Sequence, residues 1–209
     1  MTKLPTDPDA PRLVVAPLME EAEAAAWATA EERDEARRMG SERRRREWLT
    51  WRALVRCTLA GRAGCNLTPA AAAARFGIAY DAAGAPIVSG CAIHISVAHC
   101  PGRVVVCLSP QRCAVDIEPE ARDFTAAADR FMTPAERALS DDPLLPCAVW
   151  CAKETLYKYA GRKGLDLLRD LHVDEVDLVA GTIRARIENG EPLRLGMRRE
   201  AGFLVVFIG

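Results

Sequence analysis

The order of helix-like and strand-like segments constrains the fold of this 209-residue chain more than any single motif. A short strand candidate at Leu13–Leu18 precedes helical patterning from Met19 to about Met39 and from about Glu42 to Ala60. Thr68 then caps an alanine-rich helix that stops near Gly77. Strand-like runs follow around Ile93–Val97 and Val104–Leu108. The order then repeats, with helices expected at about 124–131, 133–140 and 144–160. Strands are expected near Val173–Val179, Thr182–Ile187, Pro192–Met197 and Phe203–Ile208. Gly40-Ser41 breaks the first helix, with Ser41 a candidate N-cap for the second, and Gly61 and Gly64 end that second helix. Asp81-Ala82-Ala83-Gly84 and Pro101-Gly102 read as turns between strands, as do Gly181 and Asn189-Gly190. Residues 1–10 read as disordered. The pattern is that of an α+β fold in two similar halves, 1–110 and 111–209, with no internal sequence repeat.

The chemistry lies in the second half. In Ala114–Glu118, Val115 and Ile117 alternate with polar residues, so a strand puts Asp116 and Glu118 on one face. On the helix at 144–160, Trp150, Glu154 and Lys158 fall at i, i+4 and i+8 on one stripe. Three hard oxygen ligands meeting at one point suit Mg²⁺, which shares itself with substrate phosphates, and Lys158 lies one turn beyond the third. The same residues have a plainer reading, as a surface Glu–Lys pair worth about 0.3–0.5 kcal/mol and a solvated strand end.

The run Arg43 to Arg46, with Arg37, Arg38 and Arg52 nearby, also has two readings. Four consecutive residues spread over about 300° of a helix, so one reading is a solvated surface partly neutralised by Glu42 and Glu47. In the other, a subset such as Arg45 and Arg52, seven apart on one face, clamps a phosphate. Cys91, His94, His99 and Cys100 offer nitrogen and sulfur donors for zinc, but strand alternation separates His99 from His94 and Cys100.

Composition excludes several classes. A formal net charge of −1 gives no field for nucleic acid or a membrane surface. No apolar run approaches the ~20 residues of a membrane span, and the first ten residues carry no signal-peptide core, so a cytoplasmic location is expected. The 8 cysteines form no C-x-x-C pair and are expected to be reduced.

These motifs resemble those of the 4′-phosphopantetheinyl transferases of the surfactin-synthetase-activating type. Ala114–Glu118 matches the family's (G/A)-(V/I)-D-x-E, and Trp150, Lys153, Glu154 and Lys158 match W-x-x-K-E-(x)₃-K. Arg130-Phe131-Met132-Thr133 with Glu136, Ile95-Ser96-Val97-Ala98-His99, and the arginine-rich run resemble further family stretches, so the likeness spans roughly residues 40 to 165. The resemblance implies two lobes in pseudo-twofold arrangement with the active site in the cleft between them, so that a monomer suffices. It implies transfer of 4′-phosphopantetheine from coenzyme A to a serine of an apo acyl or peptidyl carrier protein, releasing adenosine 3′,5′-bisphosphate. Asp116, Glu118 and Glu154 would hold Mg²⁺, Glu154 would take the serine proton, and Lys158 would stabilise or protonate the leaving phosphate. Arg45, Arg46, Arg52, Ser96, His99 and Lys153 would bind coenzyme A, with His99 on its 3′-phosphate.

The sequence departs from the family pattern at Ala98, where Ser is common, at Cys100, where Ser or Thr is usual, and at Ala85, where Lys is frequent. Each lost charge-assisted hydrogen bond costs roughly 1.5–3 kcal/mol. Two other readings stay open: a same-fold binding protein with weak or lost transferase activity, favoured by Ala98 and Ala85 and opposed by the intact Glu154 and Lys158, and, from Asp-x-Glu plus arginine alone, a Mg²⁺-dependent phosphohydrolase or nuclease.

Overall fold

The structure, a computed structural model, describes residues 10–62 and 67–209, and of Arg62 only the backbone. The disorder expected before residue 10, the helix stop at Gly64 and Cys65 lie outside the described residues. The chain divides into two compact units, Met1–Arg112 and Cys113–Gly209, each mixing helix with antiparallel sheet.

The first unit runs β1 (Arg12–Pro17), α1 (Glu21–Ala25), α2 (Ala30–Arg38), α3 (Glu42–Arg62), α4 (Pro69–Arg75), β2 (Ile78–Tyr80), β3 (Pro86–Val88), β4 (His94–Cys100) and β5 (Arg103–Ser109). A three-stranded sheet of order β1-β5-β4 carries α3 on one face, and β2-β3 form a separate hairpin. Trp51, Val55 and Leu59 of α3 and Val104, Val106 and Leu108 of β5 share one core. The long helix expected from Met19 to Met39 is two helices. The Thr29 hydroxyl accepts from the Glu32 N–H at 3.2 Å and the Glu32 carboxylate accepts from the Thr29 N–H at 2.9 Å, a capping box that starts α2 afresh. In the other direction, α3 runs through Gly61, which does not end it. A helical glycine costs about 1 kcal/mol, and packing on the sheet outweighs that.

Glu32 also anchors a buried ion cluster. Arg56 is wholly buried and donates to both Glu32 oxygens at 2.6 and 2.9 Å, to Phe76 O at 3.0 Å and to Trp27 O at 2.8 Å. Burial alone would raise the Glu32 carboxyl, but the bonds from Arg56 and Thr29 and the charges of Arg56 and Arg52 outweigh it and lower it.

The second unit runs β6 (Ala114–Pro119), a 3₁₀ turn (Ala128–Arg130), α5 (Pro134–Arg137), α6 (Leu145–Ala160), β7 (Leu171–Asp177), β8 (Thr182–Ile187), β9 (Leu193–Glu200) and β10 (Phe203–Ile208). The sheet order is β6-β10-β9-β8-β7, with α6 packed against β6, β10, β7 and β8. The sheets of the two units therefore differ, with three strands against five. The helix expected at 124–131 is only a 3₁₀ turn. Asp123 Oδ1 accepts from the Thr125 N–H at 2.8 Å, an Asx turn that competes with helix at its start. Phe124 and Phe131 both turn inward against Trp150, with ring centroids 6.0 and 5.1 Å away. The helix expected at 133–140 is likewise shorter, as α5 stops at Arg137 after a Thr133–Glu136 capping box.

Gly196 lies opposite Phe207 in the β9–β10 ladder, and a Cβ there would sit 2.4 Å from the Phe207 ring. Gly196→Ala is expected to lower stability by about 1–3 kcal/mol, read as a lower urea midpoint with an unchanged slope. No helix among the described residues is long and apolar enough to cross a membrane. The described cysteines are free thiols.

Candidate active site

Asp116 and Glu118 pair with Val206 and Leu204 of β10, whose side chains join the core that α6 covers. The stripe Trp150, Glu154 and Lys158 therefore lies over the strand that carries the two carboxylates. Lys158 Nζ donates to Asp116 Oδ1 at 2.8 Å and to Val115 O at 2.9 Å. Trp150 Nε1 donates to Glu118 Oε1 at 3.2 Å, and Arg122 forms an ion pair with the same oxygen. Thr155 Oγ1, on the adjoining stripe of α6, donates to Val206 O at 3.1 Å and fixes the helix to the sheet.

Charge couples the three carboxylates. Burial raises the Glu154 carboxyl and the charge of Asp116 adds to this, while Lys158 and Arg122 partly offset it. Glu118 is raised too, by burial first, with Arg122 opposing and Asp116 adding. Among the described residues no three or more His, Cys, Asp or Glu side chains are gathered to hold a metal ion as they stand. Asp116 and Glu118 are turned to Lys158 and Arg122 instead. Yet Asp116 Oδ2 is buried with no hydrogen-bond partner among the described residues. That orphaned oxygen, on the carboxylate whose charge acts on both Glu118 and Glu154, is a hard donor of the kind a divalent cation takes.

A carboxyl raised by folding holds its proton to higher pH in the native than in the unfolded chain. Stability then falls as pH rises from the ordinary glutamate value of 4.5 through the raised native one. Paired melts should show the wild type losing stability relative to Glu154→Gln between acid and neutral pH.

Lys153, one position before Glu154, leaves the stripe. It is fully buried, donating to Glu136 Oε2 at 2.9 Å and to Leu167 O at 2.7 Å. Glu136 in turn accepts from the Thr133 N–H at 2.8 Å and the Val173 N–H at 3.0 Å. Lys153 and Glu136 thus hold α5, α6, β7 and the 161–170 segment together.

In the first unit the arginine run separates by register. Arg45 pairs with Glu21 at 3.3 Å and donates to Met39 O at 2.8 Å. Arg46 donates to Met19 O at 3.0 Å and to Glu20 at 3.0 Å. Arg52 is buried, with Nη2 on the Tyr80 hydroxyl at 3.0 Å, Nε on Glu32 at 3.3 Å and its guanidinium over the Trp48 ring at 3.3 Å. Arg44 has no ion pair or side-chain hydrogen bond among the described residues. It lines a cavity of about 600 Å³ with Ser41, Glu47, Trp48, Trp51 and His99. His99 is exposed there, its Nδ1 3.6 Å from the buried Glu47 carboxylate, whereas Ser96 of the same strand is buried. The signal for Arg44 was Ser41, whose hydroxyl accepts from the Arg44 N–H at 3.4 Å and sets the register of α3. Ala98 and Cys100 are buried, so a hydroxyl at either position would point into the interior.

One strand and one helix thus bring three carboxylates and a lysine to one side of the second unit, with the lysine on Asp116. Residues 112–199 match the family model of the 4′-phosphopantetheinyl transferase superfamily. The superfamily match contains Asp116, Glu118, Trp150, Glu154 and Lys158, and it leaves the first unit outside. It supports phosphopantetheine transfer as the general chemistry of this domain. No curated protein matches the chain.

Proposed function

We propose that this protein is a 4′-phosphopantetheinyl transferase of the surfactin-synthetase-activating type. It moves the phosphopantetheine arm of coenzyme A to a serine of an apo acyl or peptidyl carrier protein and releases adenosine 3′,5′-bisphosphate. The observation that carries this reading is the stripe Trp150, Glu154 and Lys158 packed over the strand of Asp116 and Glu118, with Lys158 on Asp116 at 2.8 Å, inside the region that matches the superfamily. There burial and the charge of Asp116 raise the Glu154 carboxyl. A raised carboxyl is a better base than an ordinary glutamate when it is ionised, and it suits removal of the serine proton as the hydroxyl attacks.

Lys158 is held by Asp116 Oδ1 and Val115 O, and its amine there would stabilise the phosphate that leaves as adenosine 3′,5′-bisphosphate. Asp116, Glu118 and Glu154 would hold Mg²⁺, which when bound supplies charge neutralisation at the pyrophosphate. Trp150 orients Glu118 through its indole N–H. The protein is read as a cytoplasmic monomer.

Coenzyme A's 3′-phosphate is assigned to Arg44 and His99, basic side chains that line the first unit's cavity. Arg45, Arg46 and Arg52 serve that cavity indirectly, through the contacts that fix α3. Arg44→Ala is expected to raise KM for coenzyme A roughly tenfold, the size of one charge-assisted bond. KM for dephospho-coenzyme A should barely move, and initial rates with both donors check this.

The proposal is tested by following coenzyme A chromatographically with a panel of apo carrier proteins. Adenosine 3′,5′-bisphosphate appearing only when a carrier is present supports it. Coenzyme A left intact with carriers that a control transferase loads overturns it.

A further inference from the structure

Among the described residues, Arg122 is the cation paired with these carboxylates that the transfer chemistry does not use. It lies outside any helix or strand, in the turn after β6, where its N–H donates to Pro119 O at 3.0 Å. Its guanidinium is ion-paired with Glu118 Oε1 and lies over the Phe124 ring at 4.6 Å and the Trp150 ring at 5.4 Å. Its side chain is 42% exposed against 12% for Glu118, so a cation approaching from solvent rests on a nearly buried carboxylate. Its charge also reaches Glu154. Lys158, by contrast, is held at two points, Asp116 and the Val115 carbonyl.

We propose that Arg122 is an internal competitor for the divalent-cation site: its guanidinium occupies Glu118 and leaves that carboxylate when the ion binds, and so it sets the metal affinity of the site. The inference rests on the carboxylates being the metal ligands of the proposed transferase. A divalent ion and the Arg122 guanidinium on the same carboxylate repel each other, so the free energy of the Arg122 pair is subtracted from that of ion binding. The displaced guanidinium keeps the Phe124 and Trp150 faces on which it already lies, a cation–π surface that needs no carboxylate. Trp150 holds the same Glu118 oxygen through its indole N–H. Arg122 therefore holds the acidic cluster together without metal and yields to it.

The experiment titrates the full chain with Mn²⁺ alone and reads free Mn²⁺ by electron paramagnetic resonance. Arg122→Gln is expected to bind Mn²⁺ roughly fivefold more tightly than wild type, the upper size of a partly exposed ion pair. Arg122→Lys separates the contact from the charge. It keeps +1 but loses the planar fork and stacking of the guanidinium, so it too should bind more tightly than wild type. Tightening in Arg122→Gln but not in Arg122→Lys would reduce the effect to net charge and overturn the competition. Equal affinities in all three proteins would overturn it as well, while leaving the metal site of the transferase standing. Mn²⁺ binding to none of them would remove that metal site itself, and the inference with it. Circular dichroism of each variant confirms that the proteins compared are folded.

Discussion

Glu154→Gln is expected to lower phosphopantetheine transfer by about 10²–10⁴-fold, the range for loss of a general base, without loss of fold. The substitution is nearly isosteric and removes a charge that the site disfavours. Glu154 has its carboxyl raised by burial and by Asp116, so its ionised form opposes folding at neutral pH. The variant should melt at or above the wild-type temperature while losing its activity. Steady-state rates and melts on one preparation check both halves. Activity within tenfold of wild type would mean that the serine proton goes elsewhere. A large drop in melting temperature would mean that Glu154 is a structural residue.

Lys153→Met is expected to do the reverse, destabilising the protein by about 3–5 kcal/mol. Methionine is close in length and apolar, so little packing is lost. What is lost is, among the described residues, the only charge paired with Glu136, a carboxylate 3% exposed that also accepts from Thr133 and Val173 N–H groups. A buried carboxylate without its counter-ion must take a proton or draw in water. Burial lowers the Lys153 ammonium, with Glu136 opposing that shift, so the pair depends on both partners. Urea unfolding should show the loss, and Lys153→Met with Glu136→Gln should recover much of it. A variant with wild-type stability and a raised KM for coenzyme A would make Lys153 a ligand contact instead.

The contrast between adjacent residues shows what a sequence carries. Helix period 3.6 and strand period 2 suffice to bring Trp150, Glu154 and Lys158 over Asp116 and Glu118, because each is a local geometric rule. The strands β7 to β10 were legible for a similar reason, each bounded by turn residues, with Gly181 at φ +67 between β7 and β8. Lys153 belongs to the same motif as Glu154 but faces another way, and only its partner Glu136, seventeen positions earlier, reveals this.

The break between α1 and α2 was present in Thr29 and Glu32, yet the alanine-rich pattern on both sides concealed it. The ties of Arg56 to Glu32 and of Arg52 to Tyr80 join residues more than twenty positions apart, which no periodicity predicts. Register within the arginine run is the remaining case. Four identical residues give no pattern of their own, and the Ser41 cap alone places Arg44 at the cavity.

The most direct measurement is the intact mass of apo carrier proteins after incubation with this protein, coenzyme A and Mg²⁺. The account predicts a gain of one phosphopantetheine group on a carrier, lost with a chelator and with Glu154→Gln. Carriers that a control transferase loads, but that stay at their apo mass with this protein, would contradict it.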